Sequence, residues 1–319
     1  MKHARILGTG SYLPSRILTN ADLETRIETT AQWIIERTGI HQRHIAAEGE
    51  FTSDLATQAA RAALESANLP ANEIDLLLVA TTTPDLVFPS TACSVQAKLG
   101  MTNTCPAFDL QAVCSGFIYA LTVADQFIKS GAARHVMVIG AETLSRITDW
   151  DDRSNCILWG DGAGAMLLGA SDTPGIISTH IHADGRHKAL LQTTTGPSMG
   201  SNELPLIRME GNAVFKMAVN TLDSIVDETL SANGLQKSDI DWLVPHQANI
   251  RIIQATAKKL SMNMDKVVTT IADHGNTSAA SVPLAFDTAV RDGRIQRGQT
   301  ILMEAFGGGF TWGSALLRY

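Results

Sequence analysis

The chain has 319 residues, 45% hydrophobic and 18% charged, with 25 lysines and arginines against 32 aspartates and glutamates. Such a chain buries a large core as two domains or one duplicated domain, and is not a disordered polypeptide. Its net charge of −7 argues against non-specific binding to nucleic acid or an anionic membrane, so an acidic partner would need a local basic patch.

The N-terminal stretch Met1 to Gly8 lacks the apolar core of a signal peptide, and no apolar run approaches the roughly 20 residues that span a bilayer. Four cysteines, none in a C-x-x-C pair, make no disulfide framework, so the cytoplasm is the expected compartment. Gly8-Thr9-Gly10-Ser11-Tyr12-Leu13 follows a strand. Leu13 takes the third fingerprint position and Pro14 interrupts a helix start, so this is not a dinucleotide loop. A helix with Leu55, Ala59 and Ala62 on one face is expected after an N-cap at Ser53 or Asp54. Ser66-Ala67-Asn68-Leu69 then leads to a strand from Ile74 to Val79.

Phe108 to Phe117 reads as a buried strand running into a cysteine, small residues and an apolar helix from Phe117 to Phe127. Cys114 then sits at a strand-to-helix corner, where unpaired N–H groups and the positive helix end favour thiolate over thiol. The plainer reading is a small core residue. Arg134 to Gly140 is the next strand. Gly160-Asp161-Gly162-Ala163-Gly164-Ala165 leads into the strand-like Met166-Leu167-Leu168, which marks a tight turn or close backbone packing and not a phosphate loop.

Beyond Ser171-Asp172-Thr173-Pro174-Gly175 the order repeats. His180 and His182 stand at strand spacing without further nearby ligands and read as surface residues, not metal ligands. Phe215, Val219, Leu222 and Val226 share a helix face. Ser231-Ala232-Asn233-Gly234-Leu235 and the strand Ile240 to Val244 echo the first half 165 to 166 residues later. An apolar strand is expected from Val267 to Ile271, and another from Gln299 to Glu304. Helices alternating with continuous apolar strands predict an α/β fold with mainly parallel sheets, in two similar halves, 1–172 and 173–319.

Two segments of the second half carry further chemistry. Val244-Pro245-His246-Gln247-Ala248-Asn249 starts at the end of the repeated strand, where α/β sheets place functional side chains. Ala272-Asp273-His274-Gly275-Asn276-Thr277-Ser278 is a small-residue loop. Singly, the histidine reads as a structural hydrogen-bonder and the Gly-Asn stretch as a turn. Cys, His and Asn at equivalent strand ends of two packed halves would converge on one pocket suited to nucleophilic acyl chemistry.

The motif around Cys114, with His246-Gln247-Ala248-Asn249, Gly275-Asn276-Thr277-Ser278 and Phe306-Gly307-Gly308-Gly309-Phe310, resembles the β-ketoacyl-(acyl-carrier-protein) synthase III family. The likeness runs from Gly8 to Ser314. It implies a thiolase-like fold, two duplicated α/β halves packed as α-β-α-β-α layers. It also implies an acyltransferase that condenses an acyl-CoA primer, acetyl-CoA first among them, with malonyl-acyl-carrier-protein to start fatty-acid synthesis. By the same resemblance Cys114 is the nucleophile of a triad with His246 and Asn276, and the backbone N–H groups of Cys114 and Gly308 form an oxyanion hole.

Trp33, Arg37, Arg153, Gly211, Asn212, Phe215 and Asn249 match coenzyme A contacts, with Trp33 and Arg153 sandwiching the adenine. Arg251, with Lys216, Lys258 and Lys259, is a candidate dock for the acidic carrier protein. A homodimer is implied, with Phe88 entering the partner subunit's acyl pocket. Neither a metal nor a cofactor is expected, coenzyme A arriving as a thioester substrate. Gln111 and Val113 flank the nucleophile where smaller residues are common, so a change in pocket shape is expected. The rival readings are a specialised synthase of secondary metabolism, a Cys-His-Asn hydrolase and a non-catalytic partner subunit.

Overall fold

The structure, a computed structural model, describes residues 2–319. Two sheets carry the fold. The first joins β1 (His3–Tyr12), β2 (Leu76–Ala80), β3 (Ala107–Leu110), β4 (His135–Thr143) and β5 (Asp161–Ser171) in the order β1-β5-β4-β2-β3. The second joins β6 (Ile176–Ala183), β7 (Trp242–Pro245), β8 (Thr300–Gly307) and β9 (Thr311–Arg318) in the order β7-β8-β9-β6. The helices that matter here are α1 (Ala31–Thr38), α2 (Thr52–Ala67), α3 (Gly116–Lys129), α4 (Gly211–Asn233), α5 (Ile250–Lys259) and α6 (Ser281–Arg291).

The strands read as unbroken apolar runs because both of their faces are covered. In β2, Leu76 and Leu78 point to a central helix layer and Leu77 and Val79 to an outer one, the period-2 alternation of a strand. The central layer is α3 and α6, whose Phe117, Leu121, Val282 and Phe286 are packed between both sheets. Outside the first sheet lies α2, through Leu55, Ala59 and Ala63. Outside the second lie α4 and α5, through Val226, Leu230, Ile253 and Ala257. The layers are therefore α-β-α-β-α, as expected. Each fully buried phenylalanine of the central layer stabilises the stack by about 2 kcal/mol.

Three expectations need correction. The sheets are mixed, not mainly parallel: β2 runs parallel to β3 and β4, and β7 to β8, while β1/β5, β4/β5, β8/β9 and β9/β6 are antiparallel. The cause is connection length. β8 returns directly into β9 as a hairpin with no crossover helix to force a parallel neighbour. Helix α2 begins two to three residues earlier than expected, with Phe51 and not Ser53 or Asp54 at the N-cap. Asp54, in its first turn, accepts the Phe51 N–H at 2.9 Å. Val267 to Ile271 is not a strand; Val267 makes a single bridge to Leu243 and Ile271 starts a short helix. Gly8 and Gly10 lie within β1, where a Cβ would collide with the α2 backbone at Ala63 and Ala59, so these glycines serve close strand–helix packing.

This layering places the site. Cys114 lies just before α3, the Asn276 loop just before α6, and His246 just after β7. The two central helices start at the same place, and their starts carry the reactive groups.

Candidate active site

Cys114, His246 and Asn276 are 3%, 5% and 4% exposed, yet all three line one channel of about 300 Å³. A second chamber, of about 890 Å³, reaches Cys114 from the other side and is lined by Gln111, Val113, Leu144, Ile207, Gly308 and the loop Thr82–Val87. The thiol thus stands at a constriction between two spaces, and Gln111 and Val113 shape the second.

Cys114 is placed by backbone. It occupies a 3₁₀ turn, Val113–Ser115, in which Ser115 N–H and Gly116 N–H bond back to Ala112 O and Val113 O. Val113 adopts φ 48°, a conformation that costs a β-branched residue on the order of 1 to 3 kcal/mol. A Cβ on Gly307 would lie 2.7 Å from Cys114 N, so only glycine leaves room in front of that N–H. Thr311 Oγ1 lies 2.9 Å from Ala112 O and 3.0 Å from Gly308 O, so its one proton is shared between the two carbonyls.

Burial pushes the Cys114 thiol up to about 12, and the Glu142 carboxylate adds to the rise. This opposes the thiolate expected at a helix end. The 3₁₀ turn has already satisfied two of the N–H groups that would have solvated the anion, and desolvation wins. Burial likewise pushes His246 down to about 3, so the imidazole is neutral at rest. Glu142 itself, pushed up to about 7 by burial, accepts from Thr82 N, Thr83 N and Thr83 Oγ1. The Ser278 hydroxyl is buried close to both Glu142 and Cys114 and moderates the rise of each, though its oxygen makes no hydrogen bond of normal length.

His246 and Asn276 are placed by side-chain hydrogen bonds. His246 Nδ1 is 2.6 Å from Ser281 Oγ, and the His246 backbone N–H donates to Glu304 O on β8. Asn276 Oδ1 accepts Ser278 N–H at 2.9 Å. That contact fixes the amide orientation and leaves Nδ2, a donor, for the channel. Ser278 has φ 47°, a second strained non-glycine residue beside the reactive groups.

The outer channel is lined by Trp33, Arg37, Gly211, Asn212, Phe215, Asn249 and Arg251. Arg153 lies 4.6 Å from the Trp33 ring centroid, with Arg37 at 5.6 Å. The expected adenine sandwich is closed on itself here, and a base would enter only by displacing the Arg153 guanidinium. Asn249 caps α5 at Arg251 N and donates to Arg37 O, tying α5 to α1. Arg251 stacks over Phe215 at 5.2 Å, and Lys216 and Lys258 are exposed. Lys259 is 3.0 Å from both Asp223 and Asp227, so its charge is neutralised within the protein.

His180 and His182 both contact Glu228. Among the described residues no group of three His, Cys, Asp or Glu side chains is arranged to hold a metal ion, and no helix is long and apolar enough to cross a membrane.

Comparison with known proteins gives the family. Family profiles for 3-oxoacyl-[acyl-carrier-protein] synthase III match residues 108–185, and those for its C-terminal region match residues 230–319. A β-ketoacyl-[acyl-carrier-protein] synthase III of Thiobacillus denitrificans is 81% identical over 319 residues, covering 100% of both chains. The chain belongs to the β-ketoacyl-acyl-carrier-protein synthase III family. A family member from Methylococcus capsulatus is 61% identical over 320 residues, covering 100% of this chain and 99% of its own. The crystal structure of the Aquifex aeolicus synthase III superposes with a TM-score of 0.93 at 48% identity, over 99% of this chain and 100% of that one. By membership, this protein is a condensing acyltransferase with the thiolase-like fold.

Sequence reasoning missed Ser281, Ser278, Glu142 and Gln247. The buried Gln247 side chain accepts from Thr270 N and Ile271 N and donates to Pro245 O and Val268 O. It holds the loops behind His246 together. The small-residue run Gly275 to Ser281 was the one available signal for the two serines.

Proposed function

We propose that this protein joins an acyl group from a coenzyme A thioester, acetyl first among them, to malonyl-acyl-carrier-protein, and so starts fatty-acid synthesis. The observation that carries this reading is a single thiol at a constriction, with a neutral imidazole and a carboxamide facing the same channel. The 81% identity to a named synthase favours it over a specialised synthase of secondary metabolism.

Two half-reactions follow. The Cys114 sulfur attacks the acyl carbonyl carbon, the carbon–sulfur bond to coenzyme A breaks, and the thiol proton ends on the departing coenzyme A. The oxyanion is held by the N–H groups of Cys114 and Gly308. Malonyl thioester then loses CO₂, and its electron pair forms an enolate whose oxygen accepts from His246 Nε2 and Asn276 Nδ2. The enolate carbon attacks the acyl-cysteine, a carbon–carbon bond forms, and the Cys114 sulfur leaves as thiolate and takes a proton from water to restore the thiol. Neutral donors suffice for an enolate, so an imidazole and a carboxamide serve without a charged base.

Coenzyme A enters past Trp33, Arg37, Gly211, Asn212, Phe215 and Asn249, its adenine between Trp33 and Arg153. No metal or further cofactor takes part. The carrier protein docks on Arg251, Lys216 and Lys258; Lys259 adds little, being already paired with two aspartates. The active form is a cytoplasmic homodimer. Supporting this, Leu86, Val87 and Phe88 are 57%, 75% and 83% exposed, an apolar tip beside the second chamber. The two-half division, 1–172 and 173–319, is supported by sheet membership, which changes between Ser171 and Ile176.

The test offers malonyl-acyl-carrier-protein with acetyl, branched and longer acyl-CoA primers, and follows CO₂ release with ketoacyl product. Acetyl-CoA should give the fastest condensation. Free acid without CO₂ loss would instead identify a hydrolase.

A further inference from the structure

Ser281 opens α6 and is 1% exposed. Buried threonines elsewhere return their hydroxyl proton to the carbonyl four residues back, as Thr229 does to Ile225 O at 2.7 Å. Ser281 makes no such bond among the described residues. Its oxygen has two neighbours, the Gln247 N–H at 3.3 Å and His246 Nδ1 at 2.6 Å. A hydroxyl carries one proton and two lone pairs. Gln247 N–H can only donate, so it takes a lone pair.

If His246 Nδ1 also carried a proton, it too would donate to Ser281, and the serine proton would be buried with no acceptor. That arrangement is disfavoured. In the alternative, Ser281 donates to an unprotonated Nδ1 and every group is satisfied.

We propose that Ser281 is a positioning residue that fixes His246 as the Nε2–H tautomer, so that the ring presents a proton donor, not a lone pair, to the channel. The tautomer of a histidine is set by the bond its other nitrogen makes. With the opposite tautomer, Nε2 would aim a lone pair at the developing enolate oxygen and repel it. The consequence is selective: decarboxylation needs the donor, whereas acylation of Cys114 relies on backbone N–H groups. The inference rests on the role proposed for His246.

The test pairs the nitrogen NMR signals of ¹⁵N-histidine-labelled protein with separate assays of the two half-reactions. In the wild type, His246 should show a protonated Nε2 and an unprotonated Nδ1. Ser281→Ala should give a mixture of tautomers. Its decarboxylation of malonyl-acyl-carrier-protein should fall about tenfold or more, while acetylation of Cys114 stays nearly unchanged. Ser281→Thr, which keeps the hydroxyl, should restore both signals and rate. Ser281→Cys, close in size but a weak donor, should behave like the alanine variant and serves if that variant fails to fold.

An unaltered Nε2–H signature in the alanine or cysteine variant would overturn the proposal. So would equal losses in both half-reactions. His246→Ala in the same assays separates the two claims. If it decarboxylates normally, the role of His246 is wrong, whatever the spectra say of its tautomer.

Discussion

Cys114, in the first half of the chain, is held by backbone: a 3₁₀ turn, a strained Val113 and a glycine that leaves its N–H uncovered. His246 and Asn276, in the second half, are held by side-chain hydrogen bonds through Ser281 Oγ and Asn276 Oδ1. The contrast follows the chemistry. The nucleophile must change from thiol to thioester without moving, and a backbone frame is indifferent to that change. The donors must keep their protons and directions, which only specific partners secure.

The contrast can be broken or sharpened by substitution. The largest effect is expected for Cys114→Ser, an alcohol without the thiol's nucleophilicity. Acyl-enzyme formation, followed by single-turnover kinetics, should fall on the order of a thousandfold or more. His246→Ala or Asn276→Ala removes one donor each and should slow decarboxylation about a hundredfold, near 3 kcal/mol, with a smaller loss in acylation. Equal losses would erase the distinction between the two halves. Arg251→Glu inverts an exposed charge at the channel mouth and should raise KM for the carrier protein about tenfold, while acylation by acetyl-CoA is nearly unchanged.

A further effect concerns stability and not rate. Glu304 is fully buried, and burial pushes it up to about 8. The folded state therefore keeps a proton that the unfolded chain releases near the ordinary carboxylate range. Its contribution to stability is present below about 4.5 and is lost as pH rises through about 8. Glu304→Gln should lose less stability than the wild type between mildly acidic and mildly alkaline buffer, by about 2 kcal/mol in urea unfolding. Equal pH slopes in the two proteins would show that Glu304 already shares its charge with a partner.

Much of this was readable from residues alone. The recurrence after Ser171 and the buried apolar strands gave the two halves. Cys114 and His246 stood out because each follows a buried apolar strand, and Asn276 because it lies in a run of small residues. Strand direction did not show, since the pattern of β8 and β9 is the same whether they run parallel or as a hairpin.

The segment Val267 to Ile271 misled for a physical reason. The Gln247 side chain bonds the backbone at Val268, Thr270 and Ile271, so beyond its one bridge to Leu243 the segment is paired by a side chain and not by a strand ladder. The closed contact of Arg153 on Trp33 and the Ser281–His246 bond join residues 120 and 35 positions apart. No local periodicity reports such contacts.

The most direct measurement is intact-mass analysis after mixing the protein with acetyl-CoA alone, followed by peptide mapping. One acetyl group should appear on the peptide bearing Cys114, and vanish when malonyl-acyl-carrier-protein is added. A protein that stays unmodified, or carries its acyl group on another residue, would contradict the account.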